Sequence, residues 1–160
     1  MKPMTKRQGG FFLIEALLAI LIFTLGILGM VAMGGTAINS QSTAQYRTDA
    51  ATLTNELGSL ISVRVNRATP ADIQNSLAAF QHLPAGGNCA FNGAASADPT
   101  VVAWLARVTA AGLVVPGNPN AVQVQVTNNA AGFNRVQITL CWRTPADLAP
   151  RQHVLVTYVN

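Results

Sequence analysis

The sequence predicts an α+β protein in which one long N-terminal helix packs on a small antiparallel sheet of about three to four strands. Three patterns indicate this fold class. No residue from Ala16 to Ile38 is charged, which is typical of a membrane-spanning helix. Apolar residues then recur at steps of three and four from Tyr46 to Ile61, as on one face of an amphipathic helix. Near the end of the chain apolar and polar residues alternate, as in strands with one buried face.

The charges of the chain are few and unevenly placed. Half of the 160 residues are hydrophobic and only 10% are charged, against about a quarter in an ordinary soluble domain. The pI of about 9.7 would by itself suggest a nucleic acid or an anionic lipid as partner. However, Lys2, Lys6 and Arg7 stand together in the first seven residues, and no lysine follows Gly10. No nucleic acid is therefore expected as a partner of the rest of the chain.

The first predicted element is a single membrane span. About 20 apolar residues suffice to cross a bilayer as a helix, and residues 11–38 provide them. The basic residues precede this span, and no Lys or Arg follows it until Arg47. The positive-inside rule then predicts an N-terminus in the cytoplasm and the rest of the chain across the membrane.

The helix is predicted to continue beyond the span, to about Asn66. The segment Asn39–Glu56 is polar but contains no proline, and the apolar stripe runs through it. Residues 39–66 are therefore expected to form an amphipathic half, with one face free for packing. Four glycines, which are Gly26, Gly29, Gly34 and Gly35, are weak points where this helix could bend.

Residues 67–160 are predicted to form a globular head that begins with two short helices. Thr69 followed by Pro70 is an N-cap with proline at the first helical position. The inward residues of this helix would be Ile73, Leu77 and Phe80. Asp98-Pro99 starts the second helix, which should run to about Ala111 before Gly112. Between them, the Gly-, Asn- and Pro-rich stretch 82–99 is predicted to be a loop.

The head is predicted to end in a three-stranded antiparallel meander. Its three apolar sets are Val122, Val124 and Val126; Val136, Ile138, Leu140 and Trp142; and Val154, Val156 and Tyr158. Turn-rich stretches at 128–134 and 144–150 separate the three. A sheet with one apolar face needs a cover, and the Tyr46–Ile61 stripe is the available partner.

The stretch Gly9–Glu15 carries the most specific motif in the chain. Its residues are Gly9-Gly10-Phe11-Phe12-Leu13-Ile14-Glu15, after a basic leader and before an apolar run. This motif resembles the processing site of class III prepilins, which are the precursors of type IV pilins and of type II secretion pseudopilins. The resemblance implies that residues 1–10 are a leader, that a prepilin peptidase cuts between Gly10 and Phe11, and that Phe11 is then N-methylated. Phe12 departs from the small polar residue often found there, a difference we expect to be tolerated.

Glu15 also stands out on physical grounds. A carboxylate at the head of a membrane span is costly, which makes it a functional candidate. Cleavage would create an amine at Phe11, one helical turn away, and a salt bridge between the two would favour subunits that enter a filament in register. Glu15 could instead lie at the headgroup boundary of an ordinary signal anchor. A secretory signal peptide cut near Ala37 is the other alternative, but the acidic residue and the length of the apolar run disfavour it.

A looser resemblance covers most of the chain and points to the PilV group of minor pilins. Its residues are Leu25–Met30, Ala44–Ala50, Arg64–Arg67, the helix with Trp104, and Cys141-Trp142. It implies a pilin-like fold and a type IV pilus subunit that primes assembly and can sit at the tip.

The partners that this resemblance implies are the prepilin peptidase, other minor pilins, the major pilin and the inner-membrane assembly platform. It also implies a location in a bacterial inner membrane, with the head in the periplasm, and in the pilus after assembly. The alternatives are a minor pseudopilin of type II secretion and a DNA-binding or adhesin module displayed on a filament.

The chemistry-bearing side chains of the head are few. Cys89 and Cys141 would lie in an oxidising periplasm, where a disulfide would tie the predicted loop to the sheet; two free thiols are the alternative. With His82 and His153 they form only a nominal zinc set, since no short paired ligand spacing is present, and no metal is expected. The sequence shows no nucleophile–base set, no phosphate-binding glycine loop and no clustered carboxylates, so neither a cofactor nor catalysis is expected.

Overall fold

The structure is a computed structural model that describes residues 9–129, 132–145 and 147–160. The basic residues Lys2, Lys6 and Arg7 of the expected leader lie outside these ranges. The chain forms two compact units, the first ending at Ala44 and the second covering Gln45–Asn160. The second unit therefore includes the last part of the long helix together with the head.

Helix α1 runs from Gly9 to Arg64, which confirms the predicted long helix. Proline is absent from this stretch, and the glycines at which a bend was expected lie within a continuous helix. Two hydroxyl groups in its apolar half are satisfied by the helix itself. Thr24 Oγ1 donates to the carbonyl of Leu21 at 2.9 Å, and Thr36 Oγ1 donates to that of Ala32 at 3.2 Å.

Two short helices follow, with the predicted caps. Helix α2 spans Pro70–Ala79 and helix α3 spans Pro99–Ala110. Thr69 Oγ1 accepts from the backbone N–H of Asp72 at 3.1 Å. Asp98 Oδ1 accepts from the N–H of Thr100 at 2.8 Å, so each cap satisfies a donor that the first turn leaves free. Leu77 and Phe80 are buried and Ile73 packs against the core, as predicted.

The stretch 82–99 is not only a loop, and that prediction was wrong in part. Strands β1 (Ala85–Gly87) and β2 (Ala90–Asn92) form a short antiparallel hairpin. The two residues that join them, Asn88 and Cys89, have φ values of 53° and 61°. Positive φ at both positions is the requirement of a type I′ hairpin turn, and asparagine tolerates it better than most residues. Strands of three residues are too short to show an alternating pattern, and the composition of this stretch is that of a loop.

The predicted meander is confirmed. Strands β3 (Val122–Thr127), β4 (Asn134–Trp142) and β5 (Arg151–Val159) form an antiparallel sheet in the order β3-β4-β5. Its core face meets the apolar stripe of α1, as expected. Ala50, Leu57 and Ile61 of that stripe have no exposed surface and belong to one cluster with the inward residues of β3 and β4. Trp104 of α3 joins this cluster and donates its indole N–H to the carbonyl of Leu53 at 2.8 Å.

The apolar set predicted for β5 faces away from the core. Val154, Val156 and Tyr158 are 42%, 40% and 60% exposed, whereas Leu155 and Val159 pack inward. Leu155 lies opposite Ile138, so pairing with β4 sets this register. A one-residue shift of register exchanges the two faces of a strand, and β5 carries apolar residues on both.

The second face of the sheet is covered on the β3 side. Gln123, Thr139 and Cys141 are buried there, although alternation had placed them on the polar face. Gln123 Nε2 donates to the carbonyl of Leu83 at 3.0 Å. The Cys89–Cys141 disulfide ties the β1–β2 turn to β4 across 52 residues, with 5.8 Å between the Cα atoms, and the predicted bond is thus present.

Candidate functional site

The apolar half of α1 has no cover among the described residues. Every residue from Phe11 to Ser40 is exposed, and the large apolar side chains up to Ile38 are between 45% and 77% exposed. The most apolar window of the helix has a mean hydropathy of 2.7, and none of it is buried. By length and composition this helix could cross a membrane. An apolar surface this large marks a site for a membrane or for other proteins.

The residues of the processing motif lie in the first turns of this helix. Because α1 begins at Gly9, the bond between Gly10 and Phe11 lies in its first turn. Phe11 and Glu15 are four residues apart, so at about 1.5 Å per residue they are separated by roughly 6 Å along the axis and share a face. Glu15 is exposed, and its carboxylate makes no hydrogen bond or ion pair within the described ranges.

This arrangement can supply one complementary charge pair. If the bond after Gly10 is cut, Phe11 gains an amino group near the level of Glu15 in the helix. An unpaired carboxylate or amine in apolar surroundings is expensive, and an opposite charge beside it offsets part of that cost. A neighbouring helix that places an opposite charge beside this first turn is therefore favoured.

A cavity of the head beside α3 offers few groups for chemistry. It measures about 630 Å³ and is lined mainly by apolar side chains of α3 and of the stretch before β3, together with His82. His82 Nδ1 accepts from the backbone N–H of Ser96 at 3.2 Å, and burial lowers its pKa. Thr109 donates to the carbonyl of Leu105, and Asn118 donates to that of Cys89. The lining residues include no carboxylate.

The titratable residues of the described ranges do not assemble into a metal site. No group of three or more His, Cys, Asp or Glu side chains comes together there. Cys89 and Cys141 are bonded to each other. The two histidines pair with different strands. His82 forms a bridge with Val124 of β3, and His153 of β5 lies opposite Leu140 of β4.

An ionic cluster closes the turn between β4 and β5. Asp147 accepts from Arg151 Nε at 2.7 Å and from the hydroxyl of Thr144 at 2.8 Å. The hydrogen bond from Arg151, followed by that from Thr144, lowers the pKa of Asp147 to about 2. The ion pair between Asp147 and Arg151 thus holds the turn in place where β5 begins.

A groove that the sequence did not indicate runs between α1 and β5. Gly58, Ser59 and Ser62 of the helix and Leu155–Thr157 of the strand line it, and its volume is about 380 Å³. Gly58 is buried, and a Cβ there would lie 2.9 Å from Cδ2 of Leu155. The glycine thus lets the helix approach the strand closely. No local pattern could reveal this groove, because its two walls are almost a hundred residues apart in sequence.

Comparison of the chain with protein-family models, with curated proteins and with solved structures gives no match in any of the three.

Proposed function

We propose that this protein is a minor pilin, a structural subunit that is made as a prepilin and helps to prime assembly of a type IV pilus. The observation that carries the proposal is the position of the Gly10-Phe11 bond and Glu15 in the first turns of a helix whose next 25 or so residues are apolar and uncovered. The resemblance of this motif to prepilin processing sites supplies the class. The exposed apolar surface of the helix is available for contact with a membrane and with the helices of other subunits.

The proposed mechanism begins in the membrane. Residues 11–38 span the bacterial inner membrane once, with the N-terminus in the cytoplasm and the head in the periplasm. The prepilin peptidase removes residues 1–10 and methylates the new amine of Phe11. The apolar face of α1 then packs against the helices of other minor pilins and of the major pilin at the assembly platform.

Glu15 has a registration role in this proposal. Within the packed helices its carboxylate pairs with the amine of Phe11 on a neighbouring subunit or on its own chain. When the pair forms between two subunits, a subunit one helical turn out of register leaves both charges unpaired in apolar surroundings, which is penalised strongly. The charge pair therefore selects one axial position, and the apolar side chains around it supply the contact area.

The mass of the mature N-terminal peptide tests the proposal directly. Protein isolated from the membrane of the cells that make it should yield a peptide that begins at Phe11 and is heavier by one methyl group. A peptide that begins at Ile38 would indicate an ordinary signal peptide and would refute the assignment. An intact peptide from Met1 would refute it as well.

Substitution of Glu15 tests the registration role. Glu15→Ala and Glu15→Gln should both reduce the number of pili, because both remove the charge and the second keeps the shape. Glu56→Gln is the matched control, since it removes a carboxylate from the same helix, one that pairs with Arg107 in the head. Pilus counts by electron microscopy give the readout, with the amount of subunit in the membrane measured in parallel. Normal pilus numbers with Glu15→Ala would contradict the role.

A further inference from the structure

The two edges of the three-stranded sheet differ in whether another part of the chain pairs with them. On β3, His82 and Val124 exchange two backbone hydrogen bonds of 3.0 and 2.9 Å, and Gln125 Nε2 donates to the carbonyl of Pro84 at 3.1 Å. The edge of β3 is thus covered by the chain itself. β5 pairs with β4 on one side, and within the described ranges no strand lies on its other side.

The open edge of β5 lacks the features that usually protect such edges. Natural proteins block exposed edges with lysine, proline, a bulge or a very short strand. β5 is nine residues long and pairs without interruption, and it contains neither lysine nor proline. Its one arginine, Arg151, is the first residue and is held by Asp147. A strand edge of this kind is a template for pairing with another chain.

The groove beside this edge has room for an added strand. Its helical wall consists of Gly58, Asn55, Val63 and two serines, and the hydroxyls of the serines are already bonded. Ser59 Oγ donates to the carbonyl of Asn55, and Ser62 Oγ donates to that of Gly58, each at 2.9 Å. No charged residue lines the groove. An extended segment with uncharged side chains toward α1 therefore fits without leaving the hydroxyls of the two serines unpaired.

A second copy of the chain is a poor occupant. Later residues of α1 lie by later residues of β5, since Gly58 lies against Leu155, and Arg67 links the carbonyls of Ser62 and Asn160. The two elements thus run in the same sense. An antiparallel pair of two β5 strands would reverse one head, so that the α1 segments packed on the two sheets would run in opposite directions. Pairing of β5 with a copy's β3 is hindered because His82 already takes both backbone hydrogen bonds of Val124 at that edge.

We infer that the β5 edge is a docking site for an extended segment of a different subunit, which adds a fourth strand to the sheet. The inference rests on the proposed function, because it names the surface through which the head selects its neighbour. Main-chain hydrogen bonds to β5 would give affinity, and side chains on alternate positions would give selectivity. One face of the added strand should be apolar, to continue the exposed row of Val154, Val156 and Tyr158.

The charge of Arg135 adds one requirement for the partner segment. Arg135 lies opposite Tyr158 on the outer face of β4, and its guanidinium donates to Gln137. No carboxylate pairs with it among the described residues. A strand added beside Tyr158 would place its own side chain on the same face. The partner segment should therefore be apolar along most of its length, with an acidic residue at the level of Arg135.

Site-specific photo-crosslinking in the cells that make the protein tests the inference. A benzoylphenylalanine at Ser59, which lies in the groove, should crosslink to a chain of different mass that has its own N-terminal apolar helix. The same probe at Val102, exposed on α3 and away from the groove, should not. Val156→Lys should reduce the Ser59 crosslink at least about ten-fold, the change that corresponds to a loss of ~1.4 kcal/mol. Val102→Lys is the matched control and should leave it unchanged.

Three results would overturn the inference. They are a Ser59 crosslink to a second copy, a crosslink no stronger than that from Val102, and a crosslink that Val156→Lys does not weaken. Val156 is exposed, so the lysine variant should unfold at the wild-type temperature; Val154→Lys replaces it if it does not fold. The full-length chain in detergent should also sediment as a monomer. The mass of the N-terminal peptide from the same cells tests the proposed function separately, so the two can fail independently.

Discussion

The disulfide between Cys89 and Cys141 gives the sharpest stability prediction. Reduction of the bond releases the β1–β2 turn from β4 without the substitution of any residue. The bond closes a loop of 52 residues. In the chain-entropy model a loop of this length removes about 14 cal/mol/K from the unfolded state, which corresponds to about 4 kcal/mol at 25 °C. For a compact unit the size of Gln45–Asn160, this is a loss of about 15 °C in Tm.

The assay is thermal unfolding of the full-length chain in detergent, with and without a phosphine reductant. Near-UV circular dichroism is a suitable signal, because Trp104 and Trp142 are both buried in the head. The double variant Cys89→Ala/Cys141→Ala is the control and should not respond to the reductant. A reduced protein that unfolds within about 3 °C of the oxidised one would refute the reasoning, because it would show that the unfolded chain is not restricted by the loop.

Three further predictions concern the head. Leu57→Ala, at a position with no exposed surface between α1 and the sheet, should lower the free energy of unfolding by about 2–5 kcal/mol in denaturant melts, and a loss below 1 kcal/mol would contradict this packing. Trp104→Phe removes an indole N–H that donates to a carbonyl of α1, and it should cost at least about 1 kcal/mol by the same assay. Burial lowers the pKa of His82, so the unfolded chain binds the proton more readily, and stability should fall as the pH drops from about 7 through 6.5. His82→Gln should flatten that pH profile more than His153→Gln does, and equal profiles would count against the burial of His82.

The helices could be predicted from the sequence because their signals are local. A cap such as Thr69 with Pro70, or Asp98 with Pro99, acts within one turn of its helix. The apolar stripe of α1 could be predicted in the same way, because it depends only on the spacing of residues within that helix. The same holds for the processing motif, which is linear, so its residues could be named in full before the fold was known. The structure adds that nothing within the described chain covers them.

The faces of β5 and the short hairpin could not be predicted in the same way. Val154, Leu155 and Val156 are consecutive apolar residues, so alternation does not say which face is inward. The pairing of Leu155 with Ile138 decides it, and that contact is tertiary. The burial of Gln123 likewise depends on the segment that carries β1 and β2, which lies about 40 residues earlier. Contacts across such distances leave no periodic trace in the sequence.

In the proposed subunit, the anchor helix and the head have different roles in the recognition of neighbouring subunits. Lipid chains are as apolar as leucine, so the exposed surface of residues 11–38 has no hydrophobic reason to prefer another helix over the membrane. The charge pair of Phe11 and Glu15 can fix the axial position of a neighbour, but every subunit with the same motif offers the same pair. The choice among neighbours must then come from the head. There, within the described residues, the edge of β3 is bridged by His82 and the edge of β5 is open, so β5 is the edge of this sheet on which a strand partner can dock.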